Sequence, residues 1–346
     1  MTPESRLRIA LVSQYLPSCS KIGVGHQVHA FANGLVGRGH EVTVFSACPH
    51  PASARYVTER IELTGAMKTF RFANALRSRD LRAYDVLHAH GDDYWLWRSR
   101  TRAHVRTMHG SCLSEALRIS GARERLRMVG LGLGEELATF VADRTVVVSP
   151  ATRRWMPWVR DVIPNGIDET AFKPGGSRSQ VPLILFVGTY QRRKRGSLLV
   201  DAFQRDVLPA IPDAQLVMVS DDVPSFPSVT QTGRISQDEL VRLYQSAWVF
   251  CLPSSYEGFG IPYAEALACG TPCVATPNPG ARYVLGEGTA GVLASERDLG
   301  RALVRLLSDS AERSRLTEAG LRRAESFTMT SVLDRYEAVY RELLAR

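Results

Sequence analysis

The chain has 346 residues, 45% hydrophobic and 23% charged, with a net charge of +8 and a pI near 9.4. That length favours two domains, each able to bury its own core. No apolar run reaches the ~20 residues that cross a bilayer, and the polar start lacks the basic stretch and apolar core of a secretory signal, so a cytoplasmic protein is expected. The arginine excess lies between Arg55 and Arg127. No aromatics that would stack bases interleave it and no nucleic-acid module accompanies it, which argues against nucleic acid as a partner. Solvated helices, peripheral contact with an anionic membrane at its inner face, and an anionic acceptor remain open.

Short apolar runs alternate with longer amphipathic stretches. Leu7 to Ser13 reads as a strand, Val28 to Arg38 as a helix and Glu41 to Ser46 as the next strand. Asp85 to His90, Ala103 to Met108 and Asp143 to Ser149 follow as three more strands. The rhythm restarts after Phe172-Lys-Pro-Gly-Gly-Ser-Arg-Ser-Gln180, whose composition marks a linker. Val181 to Gly188 is a buried strand, Ser197 to Phe203 opens a helix, and Gln215 to Ser220 is a strand. Ser236 with Glu239 three residues on has the form of a helix start. Ala247 to Leu252 and Thr271 to Thr276 are strands around a helix from Pro262 to Cys269, and the chain is mostly helical from Arg297. The alternation implies an α/β fold with two Rossmann-like parallel-sheet domains, 1–175 and 176–325, facing across a cleft. An amphipathic helix over 326–346 follows them.

The cysteines are scattered: Cys19, Cys48, Cys112, Cys251, Cys269 and Cys273. Only Cys269 and Cys273 lie close together, with no second pair or histidines at zinc-site spacing, so buried free thiols are expected. Asp92-Asp93 and Asp221-Asp222 lack the Asp-x-Asp spacing of a metal-binding transferase and read as loop or helix-start residues. No required metal and no cofactor is expected.

The longest motif is Ser254-Ser-Tyr-Glu-Gly-Phe-Gly-Ile-Pro-Tyr-Ala-Glu-Ala-Leu-Ala-Cys-Gly-Thr-Pro272. A strand ends before it, a glycine-bearing loop lets backbone approach a ligand, and a helix opens with Pro262 near its first position. The amides at that helix start suit a phosphate. Glu257 lies in the loop and Glu265 in the expected first turn, and two acceptor-only carboxylates beside a phosphate site suit a partner rich in hydroxyls. Taken singly, Glu265 reads equally as a complement to the helix dipole and Glu257 as a solvated acid.

The motif resembles the signature of the family 4 retaining glycosyltransferases, of GT-B architecture. The resemblance implies that Glu257 lies by the donor sugar and that Glu265 binds ribose hydroxyls. It assigns the amides of Phe259, Gly260 and Ile261 to the sugar and diphosphate. Phe186 to Lys194 resembles the family's first donor-domain strand with its basic pair over the diphosphate. Thr189 stands where the commonest pattern has arginine, so Arg192, Arg193 and Lys194 compete for the role. Gly23 and Gly25, in a loop after the first strand, resemble the family's donor-phosphate loop. His109, in Thr107-Met-His-Gly110, resembles the histidine that meets the donor sugar. Ile235, within Gly233-Arg-Ile-Ser236, falls where the base pocket is expected. His88 and His90 face one side of a strand and read as structural.

The implied activity is transfer of a hexose, with retention, from a nucleotide-sugar (UDP first, GDP next) to a hydroxyl acceptor. That acceptor is a glycan or lipid-linked intermediate or a small metabolite. His109, Glu257 and Lys194 are the implied catalytic residues. The rivals are a nucleotide-sugar epimerase-like enzyme, whose family lacks the long Glu257–Glu265 motif, and a non-catalytic sugar-nucleotide binding module.

Overall fold

Buried strands and the helices between them form two separate parallel sheets in the computed structural model, which describes residues 6–19, 23–65, 67–96, 101–117 and 121–346. The chain divides into two units. Unit 1 is Met1–Gly166 with Met329–Arg346, and unit 2 is Ile167–Thr328. The division thus falls at Gly166 rather than near Gly175, and the final segment joins unit 1 from Met329.

Unit 1 carries strands β1 (Arg8–Val12), β2 (Glu41–Ser46), β3 (Val57–Arg60), β4 (Val86–Ala89), β5 (Ala103–Met108), β6 (Arg144–Val147) and β7 (Asp161–Val162). They lie in the order β3-β2-β1-β4-β5-β6-β7, and every pairing is parallel. The helices between them are α1 (Gly23–Gly37), α2 (Lys68–Leu76), α3 (Cys112–Ala116), α4 (Ala122–Ala138) and α5 (Pro150–Arg153). The sheet order reverses between β1 and β4, the point beyond whose strand ends ligands of such sheets bind.

Unit 2 repeats the plan with β8 (Leu183–Val187), β9 (Gln215–Val219), β10 (Val229–Gln231), β11 (Val249–Leu252), β12 (Cys273–Ala275) and β13 (Val292–Leu293), in the order β10-β9-β8-β11-β12-β13. Its helices are α6 (Gly196–Ala202), α7 (Leu208–Ala210), α8 (Gln237–Ser246), α9 (Ile261–Ala268), α10 (Pro279–Val284), α11 (Leu299–Ser308) and α12 (Ser310–Ala324). Here the reversal lies between β8 and β11. Ser236 caps α8 by accepting from the Glu239 amide at 3.2 Å, as the spacing predicts.

The chain then returns to unit 1 as α13 (Met329–Leu344). Its buried Met329, Val332, Leu333, Tyr336, Tyr340 and Leu343 form one helical stripe. That stripe shares a core with Ile9 and Leu11 of β1 and with Val28, Phe31 and Leu35 of α1.

Three expectations are corrected. Cys19 and Cys48 form a disulfide, so they are not free thiols; the other four cysteines are free. The loops after β1 and β2 lie side by side at the ends of paired parallel strands, a proximity invisible in the spacing of the two residues. Helix α1 begins at Gly23, so Gly23 and Gly25 belong to its first turn and not to the loop before it. Glu265 is the fifth residue of α9, beyond the first turn. Asp93 lies in a loop, as its spacing suggests, and is fully buried there against Arg106, itself 1% exposed on β5, with its other oxygen 3.1 Å from His104 Nε2. A guanidinium inside a strand needs such a counterion, because an unpaired buried charge costs several kcal/mol, on the order of 3–5.

Candidate active site

In unit 2 the loops at the carboxyl ends of β8 and β11 meet. After β8 the chain makes a tight basic turn, with Arg192 and Arg195 both at positive φ (63° and 53°) on either side of Arg193 and Lys194. Three bonds anchor it. Arg195 Nε donates to the Pro253 carbonyl at 2.7 Å, Arg195 Nη2 donates to Thr276 Oγ1 at 3.0 Å, and the Ser255 amide donates to the Arg193 carbonyl at 2.9 Å. The Lys194 stem lies over Gly188, where a Cβ would stand 3.0 Å from Lys194 Cγ. Only glycine leaves the stem that path.

The turn aims both cations at Glu257. Lys194 Nζ donates to Glu257 Oε1 at 2.8 Å, while Arg193 Nη1 reaches Oε2 at 3.5 Å and donates to the Tyr256 carbonyl at 3.0 Å. The Lys194 and Glu257 side chains are only 18% and 7% exposed, so this pair is not the screened surface kind worth little. Glu257 is seated from below by Gly280, whose amide donates to the Glu257 carbonyl at 2.9 Å. A Cβ at Gly280 would fall 2.4 Å from the Phe259 carbonyl oxygen and 2.7 Å from Glu257 Cβ.

Gly260 precedes α9 at φ 97°, and Ile261 and Pro262 open the helix. The Phe259 ring is buried edge-on against Phe327 at 5.4 Å. Glu265 accepts from the Tyr244 hydroxyl at 3.0 Å. Burial pushes its carboxyl up to about 7, partly offset by the Tyr244 bond and the Lys194 charge. Ile235 lies half-buried in the loop between β10 and α8, beside Arg234, whose Nε is 3.9 Å from Asp221. The basic pair and both acids are thus brought together through Lys194.

In unit 1, His109 follows β5 and His90 follows β4. The Nδ1 of His109 bonds Asn165 Oδ1 at 3.1 Å, and its Nε2 lies 2.9 Å from His90 Nδ1. The rings of His88 and His90 stack at 4.3 Å, and those of His90 and His109 at 5.2 Å. His88 is satisfied by Tyr340 and Thr107 at 2.5 and 2.7 Å. Burial pushes His109 down to about 4 and takes His88 and His90 well below the ordinary value, so all three are neutral at pH 7. Among the described residues no group of histidine, cysteine and carboxylate side chains is arranged to hold a metal. Tyr244, His90 and Gly280 were not legible as site residues, because each acts through a partner distant in sequence.

Two parallel α/β units, one carrying a cation pair and two acids at its topological switch point, have the two-unit α/β plan of the GT-B class. The comparisons with known proteins agree. Residues 22–171 match the model of glycosyltransferase family 4, and residues 181–309 match that of the glycosyl transferases group 1. The chain belongs to the family 4 glycosyltransferases of GT-B fold and is an enzyme of that kind.

It is 29% identical over 305 residues to a D-inositol 3-phosphate glycosyltransferase of Geodermatophilus obscurus, covering 74% of this chain and 66% of that one. It is 34% identical over 202 residues to an MMP alpha-(1->4)-mannosyltransferase of Mycolicibacterium hassiacum, covering 54% of this chain and about half (49%) of that relative. The fold matches sucrose-phosphate synthase of Thermosynechococcus elongatus with a TM-score of 0.80 at 23% identity, covering 98% and 100% of the two chains. It matches Anabaena HepE, in complex with UDP-glucose, with a TM-score of 0.76 at 14% identity, covering 97% and 100%.

Proposed function

We propose that the chain transfers a hexose from a UDP-sugar to a hydroxyl acceptor with retention of anomeric configuration, without a metal. The convergence of Lys194 and Arg193 on Glu257, beside a Glu265 held by Tyr244, carries this reading. A diphosphate is a better partner for two cations than one carboxylate, so the donor takes over Lys194 and Arg193 while the Phe259, Gly260 and Ile261 amides take the remaining oxygens. Glu265 accepts from ribose hydroxyls, and Ile235 lies by the base. Gly23, Gly25 and His109 of unit 1 serve the same donor, as the family resemblance implies. In the reaction the bond from the anomeric carbon to the diphosphate breaks and that to the acceptor oxygen forms on the same face. The acceptor's proton passes to the departing diphosphate oxygen. Rate comes from positioning and from cations placed where charge develops.

A thermal-shift panel of UDP, GDP, ADP and dTDP on the wild type and Glu265→Ala tests the donor. UDP alone should stabilise the wild type, by roughly 2.7 kcal/mol at 100 times its dissociation constant, and should leave the variant unmoved. The anomer of the sugar released by slow donor hydrolysis, read by NMR, tests retention.

The acceptor is read as membrane-borne. Leu126, Leu133, Leu137 and Phe140 form one stripe along and just beyond α4, exposed by 75, 53, 65 and 67%. Phe140 stacks on exposed Trp158, and Arg123, Arg125, Arg153, Arg154 and Arg160 are exposed nearby in sequence. Apolar residues with interfacial aromatics and arginines suit an anionic bilayer surface. Leu133→Glu/Leu137→Glu should abolish sedimentation with phosphatidylglycerol vesicles without lowering the melting temperature. Undiminished sedimentation would refute the membrane reading.

A further inference from the structure

His109 cannot meet a sugar hydroxyl through a free ring nitrogen, because both of its nitrogens are engaged within unit 1. The protons on this ladder can be assigned in order. Asn165 Oδ1 only accepts, so His109 Nδ1 carries the hydrogen. A neutral His109 then offers Nε2 as an acceptor, and the 2.9 Å contact requires His90 Nδ1–H to donate to it. That leaves His90 Nε2 as a bare lone pair, and this atom is buried with no hydrogen-bond partner. His90 itself lines a small cavity with Gln27, Phe31, Thr107, His109, Asn165 and Tyr336. A buried acceptor left unpaired is destabilising. Apart from its bond to His109, the His90 side chain is held by ring packing, with Phe31 edge-on at 5.8 Å and His88 stacked at 4.3 Å.

We infer that His90 is a positioning residue for the transfer reaction: it keeps His109 Nε2 an unprotonated acceptor and holds that acceptor for the donor sugar. The inference rests on the reading of His109 as the sugar's contact. When a sugar hydroxyl arrives, its O–H donates to His109 Nε2 and its oxygen accepts from the displaced His90 Nδ1–H. One hydroxyl so inserted satisfies both rings, and an analogue lacking it leaves both unpaired. His90 is the weakly held member of the ladder, since its Nε2 has nothing to lose on moving, whereas His109 is pinned by Asn165 and His88 by Tyr340 and Thr107.

The test uses His90→Phe, which keeps a ring in the stack and removes the donor, and His90→Asn, whose Nδ2–H stands where His Nδ1–H does. Imidazole nitrogen spectra of the uniformly labelled full chain read the His109 tautomer. Calorimetry reads the affinity for UDP-glucose relative to UDP. The wild type should show His109 protonated at Nδ1 with a hydrogen-bonded Nε2. His90→Phe should shift the Nε2 signal and cut the UDP-glucose to UDP affinity ratio about tenfold with UDP affinity unchanged, and His90→Asn should restore both. An unshifted His109 Nε2 signal in His90→Phe overturns the inference, since His90 then acts only as packing. A shifted signal with an unchanged ratio shows the His90–His109 bond to be real and overturns the role of His109 at the sugar. Failure of the wild type to bind UDP refutes the uridine reading alone, and the nitrogen spectra still decide for or against His90.

Discussion

Replacing Glu265 by glutamine should make the empty protein more stable and, at the same time, unable to bind its nucleotide. The carboxyl titrates at about 7 instead of 4.5 because burial penalises its charge more than the Tyr244 hydroxyl and Lys194 repay. A rise from 4.5 to about 7 corresponds to roughly 3 kcal/mol against the ionised form, and about 2 kcal/mol after allowing for the partial exposure of Glu265. The sign follows from proton counting. Between 4.5 and about 7 the folded chain binds the proton and the unfolded chain does not, so this group's contribution to stability falls as pH rises through that window. Glutamine mimics the neutral acid and still accepts from Tyr244 through its carbonyl oxygen. Glu265→Gln should therefore melt about 4–8 °C higher than the wild type at pH 8, with the difference shrinking as pH falls and gone near pH 4.5. Calorimetric melts across that range check the slope, and a nucleotide titration checks the lost binding. A variant less stable than wild type at pH 8, or a gain independent of pH, would refute the reasoning.

Lys194→Ala leaves a largely buried carboxylate with only the longer Arg193 contact, and turnover should drop by roughly 100-fold or more, read in a coupled nucleotide-release assay. Gly280→Ala drives a methyl into the Phe259 carbonyl and the Glu257 stem, so it should cost about 2 kcal/mol or more in denaturant melts and weaken nucleotide binding. Reducing the Cys19–Cys48 bridge, which closes a segment with a sequence separation of 29, should destabilise by up to about 3–4 kcal/mol on loop entropy, seen as a lower melting temperature in dithiothreitol.

The interior strands were legible because residues such as Leu183–Val187 and Val249–Leu252 form apolar runs buried on both faces. Edge strands were not: Val57–Arg60 and Val229–Gln231 are mostly exposed, so the apolar pattern that marks a strand is absent. Helix α4 was also missed, because its leucines face solvent where a core-facing period was sought. At the site, Glu257 and Glu265 could be found from their motif, and Lys194 from the basic run after β8. Their partners could not. Tyr244 reaches Glu265 from another helix, and His90 reaches His109 from the neighbouring strand. The first turn of α1 was unreadable for a different reason: Gly23 and Gly25 have poor helix propensity, and packing overrides it.

The return of α13 to unit 1 inverts the usual order of maturation on the ribosome. Domains ordinarily finish folding in the order in which they emerge. Here the whole of Ile167–Thr328 is synthesised before Met329, Tyr336 and Tyr340, which complete the core of the unit begun at the N-terminal side. Unit 2 is therefore the first to close. Unit 1 meanwhile waits with the α1 face and the hydroxyl partners of His88 and Thr107 unfilled. Its histidine ladder is completed last, so an incomplete chain can hold a finished unit 2 and a His88 still without its Tyr340 partner.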